Sequence, residues 1–355
     1  MTVAVRVAYW LLAAFSLLWA PSPGRPGGDL LVHTFDRWDS VWFSRIATVG
    51  YDRPASAAFF PVYPLLVHGL AFVVRSHVLA GVLLSLAAAG AASVLLGRIA
   101  RRHLPADAAS TTVVLFALYP LAFVFTAVYS DALFTLFVVA AFEAAERGHA
   151  LVAGVAAGLA VDTRALGLAL VPALAVVFWP SVRRLAPLLL VPAALGLWML
   201  YLHEHYGDGL AFAHAEQEYW HRATPSPHAY WHALRQSEAA YSNLLFHGYV
   251  PLAAATAADV ACLVAAVWLT GLTWRRLGPA LAVFSWATIV LAVAAPARRE
   301  PFFSLPRFLL ADFPLFLVLA SLLVGRPRAR EIVYAGFAAV GAVAAVGFAH
   351  GVGVA

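Results

Sequence analysis

The sequence predicts an all-α polytopic membrane protein, and three observations carry that expectation. Hydrophobic residues fill 63% of the 355 positions while charged residues fill only 12%. The mean hydropathy of +0.83 lies far above that of a water-soluble domain. Apolar runs recur along the whole chain, several near the roughly 20 residues that a helix needs to cross a hydrocarbon layer. Lipid offers no partner to a bare peptide group, so spanning segments must be helices or a closed barrel, and barrel alternation is absent.

The formal net charge of +5 does not point to nucleic acid. Every basic side chain is an arginine, and the arginines sit in small groups between apolar runs, where they set topology. The one cysteine, Cys262, lies inside an apolar run. Neither a disulfide framework nor a thiolate metal site is therefore expected.

The apolar segments fall at 7–20, 59–74, 78–97, 108–128, 132–145, 149–161, 165–179, 185–202, 249–272, 279–295, 308–324 and 332–350. The first, Val7 to Ala20, follows Arg6 and could be misread as a signal peptide ending near Ala20-Pro21. It is taken as the first span, because the rest of the protein needs an anchor and an orientation. The segment from Phe59 is short and holds Pro61 and Pro64, so it is expected to bend and lie against the outer face. Leaving it out, with the N-terminus in the cytoplasm, places Arg6, Arg98, Arg101, Arg102, Arg147, Arg183, Arg184, Arg275, Arg276, Arg326, Arg328 and Arg330 in short inner loops. That distribution obeys the positive-inside tendency and gives about eleven spans in one domain, 1–355.

The same assignment gathers acidic residues on the outer face, among them Asp29, Asp36, Asp39, Asp52, Asp131, Asp162, Glu204, Asp208, Glu216, Glu218, Glu238 and Glu300. The two long connections, 21–58 and 203–248, also lie there, and connections of that length are usually functional. No internal repeat is visible, which leaves inverted-repeat transporter architecture without support.

In the first outer loop, residues 35–46 read as an interfacial helix in the membrane plane. At about 100° per residue, Phe35, Trp38, Trp42 and Ile46 form one apolar stripe, with Arg37, Ser40 and Ser44 opposite. Asp39 falls about 40° from Phe35, inside the stripe, whereas Asp36 falls about 100° away. A carboxylate held against apolar surface has its pKa raised by desolvation, which suits it to take a proton from a sugar hydroxyl. The ordinary alternative is that Asp39 caps a helix or pairs with Arg37 or Arg45.

These residues carry a resemblance. Arg37-Trp38-Asp39, Phe43, Ile46-Ala47, Gly50-Tyr51 and Phe59-Phe60-Pro61-Val62-Tyr63-Pro64 are similar, in type and spacing, to the first-loop signature of the PIG-V-like mannosyltransferases. Further matches follow at Tyr119-Pro120, Ala127 to Phe134, Thr163-Arg164 and Arg307-Phe308. Gly207-Asp208-Gly209-Leu210-Ala211-Phe212 with Gln217, Trp220 and Arg222 resembles the outer loop of bacterial relatives. The likeness runs from residue 1 to about 325. Two departures stand out: Asp131 replaces the family's frequent Glu, and Ala165-Leu166-Gly167 stands where eukaryotic members show Ser-Asn-Gly. The second bears on the acceptor more than on the chemistry.

The resemblance implies a GT-C glycosyltransferase, multi-pass in the cell membrane, with its site facing away from the cytoplasm. It implies a polyprenyl-phosphate sugar donor, usually mannose, and a lipid or glycan acceptor. It further implies inversion at the anomeric carbon, no cofactor and an acidic base in the first loop, at Asp39 here. Asp36 and Asp131 join Asp39 as catalytic candidates. Arg164, Arg307, Arg37, Ser130, Gln217, Trp220 and Arg222 are the candidates for contact with the donor phosphate or substrate.

The residues meet the chemistry on their own terms. A base must deprotonate the attacking hydroxyl, and cations must hold the departing phosphate as its charge grows. Arg164 lies in a break between two short apolar runs, and Arg298, Arg299 and Arg307 enter the last outer loop; arginine forks match phosphate oxygens. An ionisable group at membrane depth is costly and functional by default. Arg164 could instead pair with Asp162, although residues two apart on a helix face different ways. Arg298 and Arg299 could simply snorkel near a helix end. Ser130-Asp131 is also how an ordinary helix starts, but at the outer edge of a helix beside the first loop it places Asp131 close to Asp39.

The middle outer loop holds His203, His205, His214, His221, His228 and His232 among four acids. No pair shows the His-Glu-x-x-His spacing, so no metal is expected. Tyr219, Trp220, Tyr230 and Trp231 suit an acceptor-binding loop with sugar stacking. Asp259 and Asp312, alone in apolar runs, are expected to bond neighbouring helices. A transferase of another sugar, a transporter or flippase, or an inactive scaffold would share many of these marks.

Overall fold

The computed structural model describes residues 2–20, 29–223, 226–229, 231, 232, 235, 250–297, 302 and 304–352. Among them the only β pairing is an isolated bridge between Arg222 and Ala297; the rest is helix and loop. The helices are α1 (Thr2–Trp19), α2 (Asp39–Val49), α3 (Val62–Val74), α4 (His77–His103), α5 (Ala106–Leu118), α6 (Asp131–Glu146), α7 (Ala150–Val161) and α8 (Leu170–Phe178). They continue with α9 (Val182–Tyr206), α10 (Ala211–Glu218), α11 (Val250–Arg276), α12 (Pro279–Val293), α13 (Leu305–Ala311), α14 (Phe313–Leu323) and α15 (Pro327–Ala349).

Every expected apolar segment contains helix, but the segments are not equal. Four described helices are long and apolar enough to cross a membrane: α4, α9, the Ala257–Arg276 part of α11, and α15. The pair α13 and α14 meets the same length and composition only when taken together, and it is bent by 83° at Asp312. The shorter apolar stretches, of 10–17 residues, are Val3–Trp19, Val62–Val74, Ala106–Leu118, Ala150–Val161, Ala165–Phe178 and Pro279–Val293. Their breaks have local causes. The 108–128 segment stops being α-helical before Tyr119-Pro120 and continues as a 3-10 turn at Ala122–Thr126, because proline cannot donate to the ladder. Asp312, at the bend, accepts a bond from Ser285 of α12 and so ties two helices together.

Polar clusters occupy the two ends of α6. Its last turn brings Glu143 and Glu146 to Arg102 of α4, with Arg147 2.8 Å from Glu143 and His103 2.9 Å from Glu146. Its first turn carries Asp131. Sixteen residues at about 1.5 Å each separate the two clusters by most of a hydrocarbon layer. Helices α1 and α15 lie side by side and run the same way: Tyr9 Oη donates to Ala338 O, and Ser16 meets His350. Arg6, expected in an inner loop, instead lies inside α1, fully buried with its guanidinium 4.9 Å from the Phe125 ring and 5.6 Å from that of Phe116. The helix starts several residues earlier than the apolar run because arginine is a good helix former and its charge is met by ring faces.

Small residues let the helices approach closely, as lipid-embedded bundles require. The turn Ala165–Ala169 folds back on the end of α7, and a Cβ on Gly167 would stand 2.5 Å from Val161 N and 2.7 Å from Ala160 C. Backbone cannot give way there, so this glycine fixes where Arg164 leaves α7. Gly167→Ala is expected to destabilise the protein by about 1–3 kcal/mol, read as a lower unfolding midpoint in detergent. An unchanged midpoint would contradict that close approach.

Candidate active site

Helix α2 begins at Asp39, four residues later than the expected interfacial helix. Tight turns precede it, with Arg37 N donating to Phe35 O, and Trp38 adopts φ 54°, a backbone region that is costly for a bulky residue. The single apolar stripe therefore divides. Phe35 is buried before the helix against Phe123 and Phe348, Trp38 is exposed, and Ser40, assigned to the polar side, is buried with its hydroxyl donating to Phe35 O at 3.0 Å.

Asp39 occupies the first turn of α2 and is 22% exposed. Its backbone N donates to Tyr129 Oη at 3.3 Å. Its carboxylate does not rest on bare apolar surface: Arg307 of α13, buried, donates Nη1 to Asp39 Oδ2 at 2.8 Å. Arg45, one of the neighbours weighed from sequence, pairs with Asp52 instead. The Nε of Arg307 is 3.8 Å from Asp131 Oδ1, so one guanidinium spans both carboxylates. Arg164 Nη1 lies 2.8 Å from Asp131 Oδ2 and donates to Ser130 Oγ at 3.4 Å. Arg164 is thus paired with Asp131 rather than Asp162. The Oδ1 of Asp162 is buried without a hydrogen-bond partner, and burial pushes its carboxyl up to about 6.

A third pair completes the cluster. Arg222 Nε is 3.7 Å from Glu216 Oε2, and its Nη1 donates to Ala295 O at 3.1 Å. Burial draws its guanidinium below the usual range, opposed by Glu216 and aided by the nearby Arg307 and Arg164. Helix α10 ends at Glu218, and the chain turns back so that Arg222 N donates to Glu216 O. Glu216 entered the sequence reading among the outer-face acids and the acids near histidines, not as a site candidate. Its place here depends on that turn, which leaves no periodic mark.

The other candidates distribute as follows. Asp36 is buried and pairs with His33 at 2.8 Å, away from the Asp39–Arg307 contact. Arg37 is half-buried in the turn before α2, and Gln217 is exposed on α10. Trp220 is half-buried, its ring 5.5 Å from Trp42 and 5.3 Å from Phe59. A cavity of about 570 Å³ opens beside these rings, lined by Trp42, Arg53, Pro54, Ala55, Tyr219 and Trp220. Trp42 is three residues after Asp39, so the cavity wall and the carboxylate share one turn of α2. Among the loop histidines, His214 pairs with Asp208 and His205 bonds Tyr51 O. Arg298, Arg299, Glu300, Tyr230 and Glu238 lie outside the described residues, as do 21–28 of the first loop.

Chemically, the cluster joins a carboxylate at a helix start to guanidiniums from three other segments, beside an aromatic cavity. That combination can accept a proton at one edge and hold phosphate oxygens at the other.

Residues 29–179 match the family model described as mannosyltransferase (PIG-V). No curated protein matches the chain. The crystal structure of ArnT from Cupriavidus metallidurans bound to undecaprenyl phosphate is similar, with a TM-score of 0.56 and 17% identity, over 98% of this chain and 63% of that one. Its apo state gives the same values. A looser likeness, with a TM-score of 0.48 and 13% identity, extends to the oligosaccharyltransferase of Archaeoglobus fulgidus in complex with Zn and sulfate, over 99% of this chain and 53% of that one. The chain spans 63% of the length of ArnT, and the likeness to ArnT shows a shared GT-C fold.

The Asp162 carboxyl is raised above its unfolded value of 3.8, so the folded state holds the extra proton between about pH 4 and 6. Stability falls as pH rises through that window. Asp162→Asn is expected to unfold at a higher temperature than wild type above pH 6, with the difference vanishing near pH 4. Thermal scans at the two pH values check this, and a gap of constant size would contradict it.

Proposed function

We propose, for a chain that matches the mannosyltransferase (PIG-V) family over residues 29–179 and carries the GT-C fold, an inverting glycosyl transfer at the Asp39–Arg307–Asp131–Arg164 cluster. The sugar, mannose, passes from polyprenyl-phosphate mannose to a hydroxyl of a lipid or glycan acceptor on the extracytoplasmic face. The observation that carries this reading is the contact of a first-loop carboxylate with a buried guanidinium that also reaches Asp131.

The steps follow from the geometry. A carboxylate accepts on two oxygens, so the pair with Arg307 on Oδ2 leaves Oδ1 of Asp39 to take the acceptor's proton. The acceptor oxygen forms its bond to the anomeric carbon as the bond from that carbon to the phosphate oxygen breaks. Polyprenyl phosphate departs with the electron pair. Arg164, Arg307 and Arg222 offset the charge that grows on it, and fixed cations in a water-poor site do so without reorganising. These guanidiniums perform the charge neutralisation that a metal ion supplies elsewhere, so no metal is assigned. Asp131 keeps Arg164 and Arg307 oriented between the two substrates.

Three further observations support the reading. ArnT, which shares the fold, is seen bound to undecaprenyl phosphate. The cluster, whose arginines are paired and largely buried, stands at the end of α6 opposite the exposed Arg101, Arg102 and Arg147, and exposed arginines beside short connections favour the cytoplasmic side. The cavity at Trp42, Tyr219 and Trp220 gives an acceptor sugar an aromatic wall beside Asp39.

Membranes supplied with labelled polyprenyl-phosphate mannose and a lipid extract test the reading. Wild type is expected to transfer label, Asp39→Asn to lose at least about a hundredfold in rate, and Arg164→Ala to show a raised donor KM. Undiminished transfer by Asp39→Asn would remove it as the base.

A further inference from the structure

Phe308 directly follows Arg307, and three guanidiniums converge on its ring. The central carbon of Arg164 stands 5.3 Å from the ring centroid, that of Arg222 5.7 Å and that of Arg307 5.7 Å. The arginines come from three places in the chain: the turn after α7, the segment after α10, and α13 itself. The ring is half-buried, and the backbone carbonyl of Pro306, two residues earlier, accepts a bond from Tyr119 Oη at 2.8 Å, which holds this turn in place.

Three like charges at this spacing repel one another, and something must hold them together. Asp39 and Glu216, each beside one arginine, and Asp131, beside two, do part of this at 2.8–3.8 Å. Carboxylates, however, occupy the same N–H groups that a phosphate needs. An aromatic face attracts a guanidinium through its quadrupole and accepts no conventional hydrogen bond in the plane of the fork. Phe308 can therefore keep three forks gathered while their N–H groups turn to an anion.

We propose that Phe308 is a positioning residue for the donor: it assembles Arg164, Arg222 and Arg307 into one anion site that takes the phosphate of the polyprenyl-phosphate sugar. This rests on the transferase reading above and adds to it the element that makes three separate cations act on one group. An apolar side chain that merely filled space would serve equally well as leucine. A quadrupole is kept by tyrosine and lost in leucine.

Undecaprenyl phosphate is the probe, its binding measured on purified full-length wild type, Phe308→Leu and Phe308→Tyr in nanodiscs. Phe308→Leu is expected to bind about tenfold more weakly, with Phe308→Tyr within about threefold of wild type. In the transfer assay the donor KM of Phe308→Leu rises by a similar factor while the acceptor KM stays within about twofold, a split that general loss of packing does not produce. Equal binding by Phe308→Leu and wild type overturns the proposal, and so does an equal loss in the leucine and tyrosine variants. Wild type that binds no undecaprenyl phosphate overturns the transferase reading, and the proposal with it; wild type that binds while leucine costs nothing overturns this proposal alone.

Discussion

Arg307 lies almost wholly inside the protein, and its charge is met by Asp39 at 2.8 Å and Asp131 at 3.8 Å. Removing an ion from water costs on the order of several kcal/mol, which is recovered only with close partners held in good geometry. The requirement joins three parts of the fold. The bent pair α13 and α14 must deliver Arg307, the start of α2 must present Asp39, and α6 must start at Asp131. Arg164, drawn to the other oxygen of Asp131, adds the end of α7 to the same constraint.

The surrounding architecture is what makes that convergence possible. The bend of 83° at Asp312 turns α13 away from the line of α14, and Arg307 and Phe308 on α13 meet the starts of α2 and α6 and the turn after α7. Tyr129 closes the arrangement from the α6 side: its hydroxyl accepts from Asp39 N, and its ring lies 5.3 Å from the Arg307 guanidinium. Left-handed backbone precedes the Asp39–Arg307 contact in both segments, at Trp38 with φ 54° and at Ser304 with φ 66°. Strain of this kind persists only where the surroundings over-determine it, and it concentrates at working sites.

The fold was largely legible in the residues. Composition and apolar runs are enough for a helical bundle in lipid, because the backbone has no other way to satisfy itself there. Helix ends were less legible. The stripe through Phe35, Trp38, Trp42 and Ile46 matches a helical period, yet the helix starts only at Asp39, since the preceding turns satisfy the backbone locally. Periodicity likewise missed Phe308 and Glu216 as members of the cluster, because neither lies in register with the arginines it meets.

What the sequence determined by itself is a lipid-embedded helical chain and the grouping of its arginines between apolar runs, at helix ends as often as in loops. Which carboxylate meets which arginine was decided only in three dimensions. Arg164 chose Asp131 over the nearby Asp162, and Asp39 chose Arg307, 268 positions away, over Arg45. The physical reason is that a half-buried charge takes the partner that the packing of distant segments brings within 3 Å. Local sequence carries no signal for that distance.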